Sequence, residues 1–210
     1  MRTALLLSML LFLGCGDKLR SWQAPNTQPP LPFQPQERLF LIPVSITIKG
    51  EQEVASQRFT EAFLAEFLPE TYPSSPALNK SLEESGVIEL SRALAEAMVS
   101  GALNHNDGNY FQRENAYLNE QLGALFSLLV TQGIKARYVA AAHIAARPKA
   151  KAQERFEVMG GVYDMEKGTT VVVVDFFVEA SPTALTSQLP ALAKRLANQL
   201  KCPSDQKACR

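Results

Sequence analysis

Histidine is scarce in this chain: His105 and His143 are the only two. That excludes metal centres built chiefly from imidazole. The sequence contains no GxxxxGKS or GxxxxGKT phosphate loop, no GxGxxG, no HExxH and no GxSxG, so the common nucleotide, zinc-hydrolase and serine-hydrolase signatures are missing. Net charge is missing as well, since 21 Lys and Arg stand against 21 Asp and Glu. Without a cationic field there is nothing to neutralise phosphates, and nucleic acid is not an expected partner. No polybasic run is present to bind anionic lipid. Long hydrophobic runs are absent too. The apolar stretch Ala4 to Leu13 is shorter than the roughly 20 residues that span a bilayer.

That stretch nevertheless has a use. It follows one basic residue, Arg2, and leads into Phe12-Leu13-Gly14-Cys15. Its length suits the apolar region of a secretory signal, about 7–15 residues. The four residues resemble a bacterial lipobox, with Phe12 and Leu13 departing from its commonest form. The resemblance implies that residues 1–14 are a signal peptide and that Cys15 is lipidated, so that acyl chains hold the protein to a membrane. An ordinary secretory signal cut nearby would instead leave Cys15 as a free thiol. Gly16, rather than Asp, follows Cys15. By resemblance to enterobacterial sorting this implies the outer membrane, periplasm-facing, although Asp17 comes next.

With Cys15 so used, Cys202 and Cys209 remain as a candidate disulfide. An oxidising periplasm would let them close a small loop, worth about 2 kcal/mol on chain-entropy grounds. A metal or redox site would need the tight two-residue spacing or a nearby His, and has neither. No cofactor is expected.

Residues 15–37 are polar and rich in proline, including Pro25, Pro29, Pro30, Pro32 and Pro35. Proline fixes φ and removes donors, so an extended, non-packing tether is expected. Trp22 lies within it, either as a ring at headgroup level or as an exposed linker residue. A single domain is expected over 38–201, with a Cys-containing tail at 202–210. Leu39 to Ile48 reads as a strand, at an edge or bulged at Pro43. Glu51 to Leu68 reads as a helix with Phe59, Phe63 and Phe67 on one face, and Val87 to Ala102 as another.

Tyr110 to Gln112 reads as a short strand. A helix from Asn115 to Gln132 should bury Leu118, Leu122, Leu125, Phe126 and Leu129, with Asn115 and Gly133 as its ends. Arg137–Ala146, Arg155–Tyr163 and Thr169–Val178 read as three strands, the last apolar enough to be central. The final helix should begin near Ser187, which puts Pro190 in its tolerant first turn. The expected class is α/β (α+β): a two-layer sandwich of a mixed, largely antiparallel sheet of about five strands with helices on it.

Few residues suggest chemistry. His143 reads as a half-buried strand residue facing a helix; as a general base it has no assignable nucleophile. Asp175, in an apolar strand, needs an Arg or Lys from a facing helix, or a groove. His105, Asp107, Gly108 and Glu114 match some spacings of a calcium loop. Its first ligand would be Leu103, which has no side-chain oxygen, so the segment reads as a turn. Arg147, Lys149 and Lys151 form a basic connection, a candidate partner-binding loop on a rigid scaffold.

Three segments carry a family resemblance: Leu90 to Met98, Tyr110 to Leu122, and Val162-Tyr163-Asp164-Met165-Glu166-Lys167-Gly168-Thr169. They resemble the curli secretion lipoproteins, the penicillin-binding-protein activator lipoproteins and the amino-terminal domain of the Tol translocation protein. The resemblance implies a non-catalytic scaffold that binds envelope proteins. It departs from the curli group in having no two spare segments of about 9–11 alternating residues for membrane hairpins. A small-ligand-binding domain or a hydrolase using His143 and Asp175 is one alternative. A homo-oligomeric ring subunit of a secretion complex is another. The anchor is tested by intact mass of membrane-extracted protein: wild type should show cleavage before Cys15 plus acyl chains, and Cys15→Ala should lack them. An unlipidated wild type would leave a soluble secreted domain.

Overall fold

The computed structural model describes residues 19–25, 39–47, 52–67, 87–147 and 154–202. Cys15, Lys149, Lys151 and Cys209 lie outside the described residues. In chain order the elements are β1 (Arg20–Gln23), β2 (Leu39–Leu41), β3 (Ser45–Thr47), α1 (Gln52–Phe67), α2 (Val87–Val99), α3 (Tyr110–Glu114), α4 (Ala116–Thr131), β4 (Tyr138–Arg147), β5 (Glu154–Asp164), β6 (Thr169–Ala180) and α5 (Pro182–Lys201). They form an α+β fold around one mixed, mostly antiparallel sheet of six strands, ordered β1-β6-β5-β4-β2, with β3 also on β4. None of the described helices is long and apolar enough to cross a membrane.

The meander β4-β5-β6 is antiparallel throughout, and its side chains alternate between two separate cores. Ala140, Ala142, Ile144, Phe156, Val158, Val172 and Val174 join Phe59 and Phe63 of α1 and the leucines of α5. Val139, Ala141, Met159, Tyr163 and Val173 join Leu90, Leu94 and Met98 of α2 and Leu118, Leu122, Leu125 and Leu129 of α4. Helices therefore cover both faces, giving three layers where the sequence suggested two. A sheet buried on both sides needs apolar residues at every position, which the alanine-rich β4 and valine-rich β6 supply.

Pro43 acts as expected. Leu41 pairs with Ala140 and Ser45 with His143, so the edge strand carries one extra residue between them, a bulge. The backbone groups freed there are taken by α1. Val44 N donates to Thr60 Oγ1 at 3.2 Å, and Ser56 Oγ donates to Val44 O. Both edge strands run parallel to β4.

Three expectations change. Arg20–Gln23 does not stand apart as tether but pairs antiparallel with β6, Arg20 opposite Asp175 and Gln23 opposite Val172. Tyr110–Gln112 is helical, in α3. The turn before it favours that: Asp107 Oδ1 accepts from Asn109 N at 2.9 Å, and Asp107 pairs with Arg113 six residues on. The last helix begins at Pro182, not Ser187, with Ser181 Oγ accepting from Ala184 N. Pro190 therefore lies inside it. An interior proline costs roughly 3 kcal/mol, which the burial of Leu185 and Leu189 offsets at roughly 2 kcal/mol each.

Helix α4 has the ends its sequence predicts. Asn115 Oδ1 accepts from Leu118 N at 3.1 Å, and Gly133 takes φ +70°, the left-handed geometry of a residue just past a helix. Asn115→Ala should therefore cost about 1 kcal/mol in equilibrium urea unfolding. A loss below about 0.3 kcal/mol would show that the cap does not stabilise this helix.

Candidate functional site

Beyond Glu120 the outer side of α4 carries no charge. No charged residue occurs between Glu120 and Lys135. The inner stripe of leucines is buried, but Phe126 and Val130 are 50% and 57% exposed, and Tyr117 one end away is 54% exposed. Phe126 was expected in the core. It stands one residue past Leu125, which takes the inward position, and 3.6-residue periodicity turns Phe126 about 100° outward. The missing charges were the available signal.

Phe126 and Val130 line an open groove of about 570 Å³, together with Ile134 and Ala136 of the segment after α4 and Met165 and Glu166 of the β5–β6 turn. That turn is rigidly built. Buried Asp164 accepts from Glu166 N at 3.0 Å and Lys167 N at 3.1 Å. Its other oxygen accepts from Arg137 Nη2 at 3.1 Å, and Arg137 Nε meets Glu166 Oε2 at 3.1 Å. Gly168 closes the turn at φ +67°, where a Cβ would also strike Gln112 Nε2. An apolar groove with a fixed polar rim is the ordinary form of a recognition site. Lys135 on the rim is exposed, leaving its ammonium available to an acidic group.

The middle of the same face collects the residues expected to carry chemistry. Ser45, His143, Met159, Asp175 and Arg20 lie in one cross-strand row. Met159 thus separates His143 from Asp175, which puts them two strands apart, at about 9–10 Å. His143 is 1% exposed, with Nδ1 at 3.0 Å from Ser45 O and Nε2 at 3.8 Å from Glu96. Burial lowers its pKa, opposed by the Ser45 bond and Glu96 and assisted by Arg92 and Arg147. His105 stacks on Tyr110 at 4.4 Å.

Asp175 is fully buried. Its partner comes from a strand, not a facing helix: Arg20 Nε donates to Oδ2 at 2.7 Å. Burial raises its pKa, opposed by the Arg20 bond and reinforced by Glu157. Glu157 in turn accepts from Arg147 Nε at 2.6 Å and lies 3.8 Å from Arg20. Arg147 of the expected partner-binding loop is therefore engaged on its own sheet. Among the described residues no group of three or more His, Cys, Asp or Glu could hold a metal. Cys202 is buried and disulfide-bonded.

No family model matches this chain, and no curated protein does. Among solved structures it is similar to a dodecamer of PelC L103M from Paraburkholderia phytofirmans, at 9% identity and TM-score 0.43, covering 87% of this chain and 98% of that one. A PelC dodecamer in another crystal form gives 11% identity and TM-score 0.43, covering 89% and 98%. The hypothetical protein CT253 from Chlamydia trachomatis gives 12% and 0.38, covering 80% and 99%. Likeness at this level assigns no role to the chain.

The His143 environment predicts a pH dependence. A histidine whose folded pKa lies below 6.5 takes up its proton first in the unfolded chain as pH falls. Its contribution to stability is therefore present above 6.5 and lost below it. Wild type and His143→Gln should differ most in unfolding midpoint near pH 7.5 and progressively less toward pH 5. A gap that does not change with pH would mean that His143 is not held neutral.

Proposed function

We propose that this protein is a non-catalytic, lipid-anchored periplasmic domain at the bacterial outer membrane, which binds an envelope protein in the groove beside α4. The observation that carries this reading is the uncharged outer side of α4 beyond Glu120, with Phe126 and Val130 half exposed and lining that groove. Exposing such residues gains nothing for the fold; against a partner each contributes buried apolar area. The rim names the partner's chemistry. Arg137 is matched by Asp164 and Glu166, while Lys135 remains. The occupant is thus an apolar helix or strand with an acidic residue at its flank, borne by another envelope protein. The Cys15 motif supports the compartment.

His143 and Asp175 are engaged by Ser45 and Arg20, and neither lines the groove. That arrangement favours binding over the hydrolase alternative. The homo-oligomeric alternative is separated by experiment. A photo-cross-linking residue at Val130 of the full chain, in intact cells, should give an adduct with a different protein. Phe126→Asp should lower its yield at least about 10-fold, without unfolding, because Phe126 is half exposed. Adducts confined to the homodimer would favour self-assembly. No adduct, or one indifferent to Phe126→Asp, would refute the site.

A further inference from the structure

The strand β1 gives the chain that precedes it a direction. Its register with β6 runs Arg20 opposite Asp175 and Gln23 opposite Val172, so the chain preceding Arg20 leads toward the Ala180 end of β6. At that end β4 finishes at Arg147 and β5 starts at Glu154. The edge strand β3 finishes there too, at Thr47. The α4 groove lies at the opposite end, beside the β5–β6 turn.

Docking also shortens the attachment. From residue 15 to residue 20 an extended backbone spans at most about 17 Å, whereas from residue 15 to residue 39 it would span about 80 Å. β1 is short, but it is fixed by more than its ladder. Asp175 is fully buried, and Arg20 is the described cation that bonds it. Undocking would strand that carboxylate without its partner, which low-dielectric surroundings penalise. Trp22 Nε1 donates to Asn106 Oδ1 at 2.7 Å, and Ala24 N donates to Val171 O at 2.8 Å.

We propose that the bilayer-facing surface of this domain is the sheet end bearing Thr47, Glu154 and Glu179, held close to the membrane by the docking of β1 on β6 through Arg20 and Asp175. The inference rests on the lipid anchor at Cys15. It turns the α4 groove away from the lipid, open to other envelope proteins. Among the described residues, Arg147 and Arg155 share that end with Glu154 and Glu179, and a phosphatidylcholine surface carries no net charge, so the facing on such vesicles should survive added salt.

The test uses the full lipidated chain in phosphatidylcholine vesicles carrying a headgroup acceptor dye, with a fluorescent amino acid at Thr47 or at Lys135. Intact mass first reports the acyl chains, so failure of the anchor is read separately from failure of the orientation. Transfer should be several-fold greater from Thr47 than from Lys135, and unchanged at 0.5 M salt, a concentration that contracts screening to roughly 4 Å. Arg20→Ala should lower transfer from Thr47 and bring the two positions together. Asn106→Ala, which leaves the buried pair intact, should shift transfer the same way by less. Circular dichroism confirms folding of both variants. Equal transfer from the two positions in acylated wild type would overturn the proposal, as would an Arg20→Ala protein that behaves like wild type. A chain without acyl mass would overturn it through its premise.

Discussion

β5 has no free side. Its backbone is bonded to β4 along one edge and to β6 along the other, and from Phe156 to Asp164 its residues are buried on both faces. Backbone groups so enclosed must be paired within the sheet, and side chains so enclosed must find apolar cover above and below. The helices are placed by that demand: α1 and α5 on one face, α2 and α4 on the other. Gly160 and Gly161 sit where the covering helices come closest, under Leu196 and Met98 respectively. The short edge strands and β1 are then accretions on an already buried centre.

Polar side chains on this sheet survive only with partners. Asp164, at one end of the sheet, and Asp175, at its middle, are both essentially inaccessible, and each is met by an arginine. They differ in what the pairing controls. Asp164 also accepts two amide hydrogens of its own turn, so it shapes a local loop. Asp175 reaches back across the whole domain to the start of the described chain, so it couples distant sequence.

Local signals were legible in the sequence wherever one principle dominated. Asn115 and Gly133 announce the ends of α4. Pro43 announces a broken edge strand, and the alternation in residues 137–146 and 155–163 announces the meander. The misreadings share a cause: tertiary partners unseen from sequence. Trp22 and Arg20 look like linker residues until Asn106 and Asp175 are brought to them. Tyr110 and Phe111 have strand-like side chains, but the Asp107 turn and the packing of Phe111 against Tyr163 at 4.9 Å make them helical. Phe126 fits an apolar stripe by type and misses it by angle. The groove followed from none of the motifs considered, because it joins α4 and the loop after it to a hairpin turn about thirty residues further on.

The chain contains a single tryptophan, and it is in β1. Its ring is half-buried, packed on the α2–α4 core and against Gly108, with its indole N–H committed to Asn106. The indole chromophore is therefore positioned to sense the attachment of one edge strand, not the integrity of the core. Emission and backbone ellipticity can part company in this protein. A red shift that precedes loss of helix signal would record β1 leaving the sheet while the three layers behind it remain folded.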